Sequence, residues 1–288
     1  MVALPELIAL YTLAGGLALG YGLGLRRLRG GDSKTVEGGA AFSWATKIFL
    51  GALLLGFIAY QVFFLLSPDG LVFTFGRALG PTVERIELWE KATGSLSSAI
   101  FLSNTIVALL AAFLPLLLGA LDSTFRRNRV YGTATRILST PVDLVYRVAS
   151  KSARMMSKDH RLISLAVLAY PFVVLSVNGF LIGLLAAAAS LAQNPVFFAI
   201  GVIPHGVIEI PAILLAASLG YAYARRWTPT GEEPLSFLAF ATRLIRGRRF
   251  WATVLFIIAE LSIAAYVEAE FTFGLLASLD PEPSFLRP

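Results

Sequence analysis

The sequence predicts an all-α integral membrane protein. Three observations predict it. Apolar residues make up 57% of the 288-residue chain while charged residues make up only 15%, against roughly a quarter charged in soluble domains. Six apolar stretches are each long enough to cross a hydrocarbon core, which takes about 20 helical residues. The basic residues stand almost entirely between those stretches, although the net charge of +6 would by itself also suit a nucleic-acid partner. That placement belongs to membrane topology, and no nucleic-acid partner is expected. The chain has no cysteine, which excludes disulfides and thiolate metal sites.

The expected spans are 4–25, 45–66, 98–121, 162–192, 197–224 and 250–272, forming a single polytopic domain over 1–288. The first is not a cleavable signal, because Arg26, Arg27 and Arg29 follow its apolar run instead of preceding it. Gly16, Gly20 and Gly24 recur every fourth residue along it, and Gly179 and Gly183 do so on the fourth span. Small residues on one face let helix backbones approach closely where lipid offers no hydrophobic drive to association. These glycines are therefore expected at packing seams, within one chain or between copies, and homo-oligomerisation is left open.

Orientation follows from the loops. Residues 26–47 hold five Lys and Arg, 122–161 hold nine and 225–249 hold six, leaving only Arg77, Arg85, Lys91 and Arg287 on the alternate side. The bias alternates through all five connections, so a multi-pass protein of the cell membrane is expected with both termini outside and three basic loops in the cytoplasm. Within the 122–161 loop, Pro141 follows Thr140 as at a helix start, and Arg147, Lys151, Arg154 and Lys158 recur at helical spacing opposite Leu144, Val145, Val148 and Met155. This reads as an amphipathic helix on the cytoplasmic leaflet, either a docking site for anionic lipid or a partner, or plain positive-inside bias on a surface helix. Outside, Pro81 to Lys91 reads as a short charged helix with Trp89 suited to the headgroup zone.

The fifth span carries the most informative run, Pro204-His205-Gly206-Val207-Ile208-Glu209-Ile210-Pro211. Each proline removes an intrahelical hydrogen bond, so kinks or breaks are expected here and at Pro171, tolerated only where other helices or cavity water satisfy the freed groups. His205 and Glu209 are four apart and share a face if the helix is continuous. Depth along each span puts Asn104, His205 and Glu268 in the outer third, with Asn178, Glu209 and Glu260 near the midplane, so that they could line one cavity entered from outside. The asparagines are as readily interhelical hydrogen-bond partners, and His205 could bond a carbonyl released by a proline. Glu209 is harder to dismiss, since a lone ionised carboxylate at that depth costs several kcal/mol and calls for a partner or a proton.

Three mechanisms could use such a cluster. A His-x3-Glu pair resembles part of a metal site, but catalytic zinc usually takes three protein ligands and the other histidine, His160, lies in a cytoplasmic loop, so intramembrane metal-dependent hydrolysis is the weakest reading and no metal or cofactor is expected. A path for protons, ions or a small polar solute suits interrupted helices with midplane carboxylates. A scaffold whose groove receives another protein's helix or a lipid suits them equally well.

The run Asn178-Gly179-Phe180-Leu181-Ile182-Gly183, followed by Ile203-Pro204-His205-Gly206-Val207-Ile208-Glu209-Ile210-Pro211-Ala212 and ending at Gly220, resembles the signature of the stage II sporulation protein M family, an NG-x-x-x-G helix followed by PHG-x-x-E-x-PA. Asn104 with Val107 and Ala108, and Glu268 with Phe271 and Thr272, echo the family on either side, so the likeness covers residues 98–273. The resemblance implies a shared membrane fold and polar motif. The sporulation member is similar to a membrane anchor that recruits cell-wall-remodelling enzymes, which implies a non-enzymatic scaffold with other membrane or envelope proteins as partners. A transporter or channel component working through the His205 and Glu209 region is the alternative. The chain departs from the family pattern in its long basic loop and in Phe273, where a proline commonly follows the threonine, and a sporulation role is not carried over.

Overall fold

A computed structural model of the chain describes residues 36–66, 84–125, 158–192, 195–227 and 246–272. The expected span at 4–25 with Gly16, Gly20 and Gly24, and the amphipathic helix carrying Arg147, Lys151 and Arg154, lie outside the described residues. Within them the protein is all helical. Five long helices are α1 (Val36–Leu66), α2 (Leu96–Phe125), α3 (Lys158–Ala192), α4 (Pro195–Trp227) and α5 (Arg248–Val267), the last continuing into a π-helical turn, Glu268–Thr272. Each holds a stretch long and apolar enough to span a bilayer: Ala41–Leu66, Leu96–Leu118, Ala169–Ala187, Ile203–Ala222 and Phe250–Thr272.

A short helix at 84–93 precedes α2, and the joint between them shows why the chain turns there. Gly94 takes φ +69 and its N–H donates to the Glu90 carbonyl at 2.7 Å, the left-handed close of a helix that glycine adopts without a Cβ penalty. The next residue, Ser95, caps α2: the Ser98 N–H donates to Ser95 Oγ at 3.3 Å, which satisfies one of the orphan donors of the first turn.

The prolines do not break the helices that contain them. α2 runs through Pro115, α3 through Pro171 and α4 through both Pro204 and Pro211, so the interruption expected in the PHG run is absent. The loss of one N–H is tolerable where the freed carbonyl meets a neighbour. Pro115 leaves the carbonyl of Ala111, four residues back, without its intrahelical donor, and that carbonyl lies against Gly220 of α4, where a Cβ would collide with it.

Two parallel pairs make up most of the bundle. In α1 and α3, Gly179 sits against Phe49, Gly183 against Leu53 and Phe57, and Gly56 against Phe180; further along, Phe57 and Tyr60 pack with Leu184 and Ala187. Numbers rise together on both helices, so the two run in the same direction. A Cβ on Gly179 would stand 2.6 Å from the Phe49 carbonyl oxygen, closer than a real side chain can approach, which makes glycine a geometric requirement of this seam. Likewise α2 lies parallel to α4, through Ala108 and Ala112 against Ala212 and Ala216, with Ala111 against Gly220. α5 packs antiparallel to α4: Ile208 meets Ala264 and Val267, while Ala212 and Leu215 meet Ile257 and Leu261.

α4 is the hub, touching α1, α2, α3, α5 and the π-helical turn. Of its most apolar window 61% is buried inside the protein, against 17% for α1. Ala212 through Ser218 are buried without exception, so this stretch of the helix is enclosed on every side, whereas α1 leaves Leu50, Leu54, Leu55, Ile58 and Val62 exposed along one flank.

Candidate functional site

Several polar side chains on the described spans are satisfied by their own helix. Thr46 Oγ1 donates to the Phe42 carbonyl at 2.9 Å, Ser218 Oγ donates to the Leu214 carbonyl, and Asn178 Nδ2 donates to the Val174 carbonyl at 2.8 Å. Each reaches back four residues, the cheapest way to pair a polar group in a medium that offers no water. Against that background the groups left over define the site.

Because α4 is uninterrupted, His205 and Glu209 do share one face. The antiparallel packing of α5 then carries the chain up to their level, and at Glu268 the α-helix gives way to the π-helical turn. Single π turns inside helices alter which way side chains face and recur at functional sites. The result is a convergence of three donors: one imidazole nitrogen of His205 and one carboxylate oxygen each from Glu209 and Glu268 all lie within 4.8 Å of one another. All three residues are half-buried. His205 Nδ1 itself is buried without a hydrogen-bond partner among the described residues, and so is Thr272 Oγ1, four residues beyond Glu268 on the same turn.

The remaining candidate residues are not among the three converging donors, although α2, which carries Asn104, touches the π-helical turn. Glu260 is buried on α5, 5% exposed, with Oε1 unpartnered among the described residues; at about 1.5 Å per residue it stands some two turns inward of Glu268. Asn104 is half-buried on α2, between Ser103 and Thr105, whose hydroxyls are buried and likewise unpartnered. Asn178 stays on α3. Phe172 stacks on Tyr221 and Leu175 packs with Ile213, Leu214 and Ala217, a register that sets Asn178 about one turn inward of Glu209.

Sequence reasoning named all three members of the cluster and, by depth along the spans, set Glu268 in one possible cavity with His205 and Glu209, but only the last two are joined by helical spacing. Glu268 comes from a different helix, and no spacing rule connects it to them. Weighing metal chemistry by the number of histidines therefore passed over a third donor, the Glu268 carboxylate, already in view. Ser103 and Thr105 carried no signal, because a lone hydroxyl in an apolar run is ordinarily absorbed by its own helix, and Thr272 was visible only through its place in the family echo.

The cluster can bind a cation, share a proton between carboxylates, or tie α4 to the end of α5. Residues 161–273 match the model of the family described as Stage II sporulation protein M. Over that stretch the chain is similar to the SpoIIM family, and its five long apolar helices are those of a membrane protein. The match takes in α3, α4, α5 and the π-helical turn, hence the glycine face of α3 and all three members of the cluster; α1 and α2, with Asn104, lie before it. No curated protein and no solved structure matches the chain.

Proposed function

We propose that this protein is a non-enzymatic membrane scaffold, a rigid platform that recruits other membrane or envelope proteins. The observation that carries the reading is the way the helices are joined. Alternating access needs one group of helices to rock against another, but here backbone lies directly on backbone at Gly56, Gly179, Gly183 and Gly220, across both parallel pairs. Such seams resist sliding, since any shift sets a side chain against a neighbouring carbonyl. A platform also needs a face to offer, and α1 has one: Leu50, Leu54, Ile58 and Val62 are exposed along it. The loop charges orient the platform with the termini outside and the three basic loops inside.

A second reading keeps one specific observation in its favour. The His205, Glu209 and Glu268 cluster is the kind of membrane-embedded titratable group through which transporters move protons or cations. Liposomes reconstituted with the protein, loaded with a pH-sensitive dye and challenged with a panel of cations, separate the two. A scaffold gives no flux above protein-free vesicles. Flux in the wild type that is lost in Glu209→Gln would replace the scaffold with the transporter.

In native membranes a photo-crosslinker at Leu54 or Ile58 should trap protein adducts of discrete added mass, and one at buried Ala45 should not. Adducts with lipid alone would remove α1 as the recruiting face. Single cysteines introduced into this cysteine-free chain test the orientation. A cysteine at Lys151 should be shielded from an impermeant reagent in intact cells, and labelling there from outside would reverse the topology.

A further inference from the structure

We propose that His205, Glu209 and Glu268 form a binding site for one divalent transition-metal ion of the zinc class, which clamps the outer part of α4 to the end of α5. This goes beyond the scaffold reading and does not depend on it.

Charge neutrality inside the membrane carries the argument furthest. Two carboxylates converge with an imidazole, and an isolated charge at such depth is expensive. Basic side chains cannot supply the compensation. No lysine or arginine occurs between Lys91 and Arg126, between Arg161 and Arg225 or between Arg249 and Arg287, so α2, α3, α4 and α5 carry none along their membrane-spanning lengths. On α1 Lys47 stands about 28 Å of helix rise from Leu66, with its ammonium 5.8 Å over the Trp44 ring. Two carboxylates, one neutral imidazole and one divalent cation sum to zero.

Donor chemistry and geometry point the same way. Imidazole suits zinc and its neighbours, while a purely oxygen-bound magnesium or calcium site would have no use for it. Zinc holds nitrogen and oxygen ligands at about 2.0–2.2 Å, which places two ligands of a tetrahedron about 3.4 Å apart. Donors already within 4.8 Å of one another reach that spacing by small side-chain rotations, without moving a helix. His205 Nδ1 is buried and unpartnered among the described residues, and so is Thr272 Oγ1 on the turn that carries Glu268.

The test uses the full chain in detergent, stripped with a chelator and then equilibrated with Zn²⁺ or Co²⁺. Wild type should take up about one ion per chain by elemental analysis, and the Co²⁺ form should show ligand-field bands in the visible. Loss of supporting groups around a metal typically costs 10–100-fold in affinity, so losing a direct ligand in His205→Gln, Glu209→Gln or Glu268→Gln should weaken binding at least about tenfold. Glu260→Gln, which alters a buried carboxylate outside the cluster, should bind as wild type does. Should His205→Gln fail to fold, His205→Cys offers a thiolate in its place, and its Co²⁺ form should gain a sulfur charge-transfer band. Wild type with no more metal than protein-free micelles, uptake indifferent to all three substitutions, or a folded His205→Cys protein without the sulfur band would each overturn the site.

Discussion

The seam between α1 and α3 and the meeting of α4 with the end of α5 solve the same problem by opposite means. In the first, side chains are removed: Gly56, Gly179 and Gly183 let two parallel helices touch backbone to backbone, and the holding force is van der Waals contact over a long interface. In the second, polar side chains are brought in: His205, Glu209 and Glu268 converge where α5 unwinds into a π-helical turn. A glycine seam can be satisfied in one geometry only and has nothing to exchange. A cluster of titratable groups can gain or lose a proton or an ion. The contrast separates what fixes this fold from what could give it chemistry, and the two lie on different faces of the family-matched region.

The sharpest way to break that distinction is Gly183→Ala. The added methyl would meet the Leu53 carbonyl oxygen, with the Leu53 carbonyl carbon and the Phe57 nitrogen each 2.9 Å away. All three are backbone atoms that cannot rotate aside. Overpacking of this kind costs about 3 kcal/mol, so thermal unfolding in detergent should shift down by more than for any single change in the cluster. A silent Gly183→Ala would mean that the helices are not locked, and would return alternating access to contention.

Next in size is Glu209. Truncating one member of a buried polar group costs about 1–3 kcal/mol, and more where a charge is left unpaired. In chelated protein Glu209→Ala should therefore lower the unfolding temperature, while Glu209→Gln, which keeps shape and hydrogen bonding, should be nearly silent. A Gln variant as damaged as the Ala variant would show that the carboxylate charge itself holds α4 to α5, which would make the cluster a fastening like the glycine seam.

These two regions were also unequally legible in the sequence. Spans 45–66, 98–121, 162–192, 197–224 and 250–272 could be placed because hydropathy is local, and the helices then run past those limits, to Val36 and Phe125 for example, because a helix need not end where the bilayer does. Gly179 and Gly183 advertised themselves by their spacing of four. Gly56 did not, since Gly51 precedes it by five and lies on another face. Pro204 and Pro211 were visible, but reading them as interruptions undervalued how fully the neighbours of α4 support it. The cluster was half legible for a related reason: helical spacing joins His205 to Glu209, whereas the pairing with Glu268 depends on the antiparallel register of α5 and on a π-helical turn that leaves no mark in composition.

The smallest expected effect is the most discriminating, because it compares two glycines of one helix. Gly51 is exposed, and a Cβ built on it meets nothing within 4 Å, whereas Gly56 on the same helix is closed against Phe180. Replacing a mid-helix glycine by alanine normally gains about 0.5–1 kcal/mol by reducing backbone freedom in the unfolded chain. In a bilayer or micelle the denatured state keeps much of its helix, so the gain should fall to about 0.5 kcal/mol or less. Gly51→Ala should thus unfold at the wild-type temperature or slightly above, in the purified protein. In native membranes the same substitution probes the face proposed for recruitment, since a methyl added to a closely approached surface would weaken partner adducts at Leu54 without touching stability. A destabilisation approaching that of Gly183→Ala in the purified protein would mean that α1 has a second packed seam within the fold, and the exposed face of α1 could then no longer serve as the surface offered to a partner.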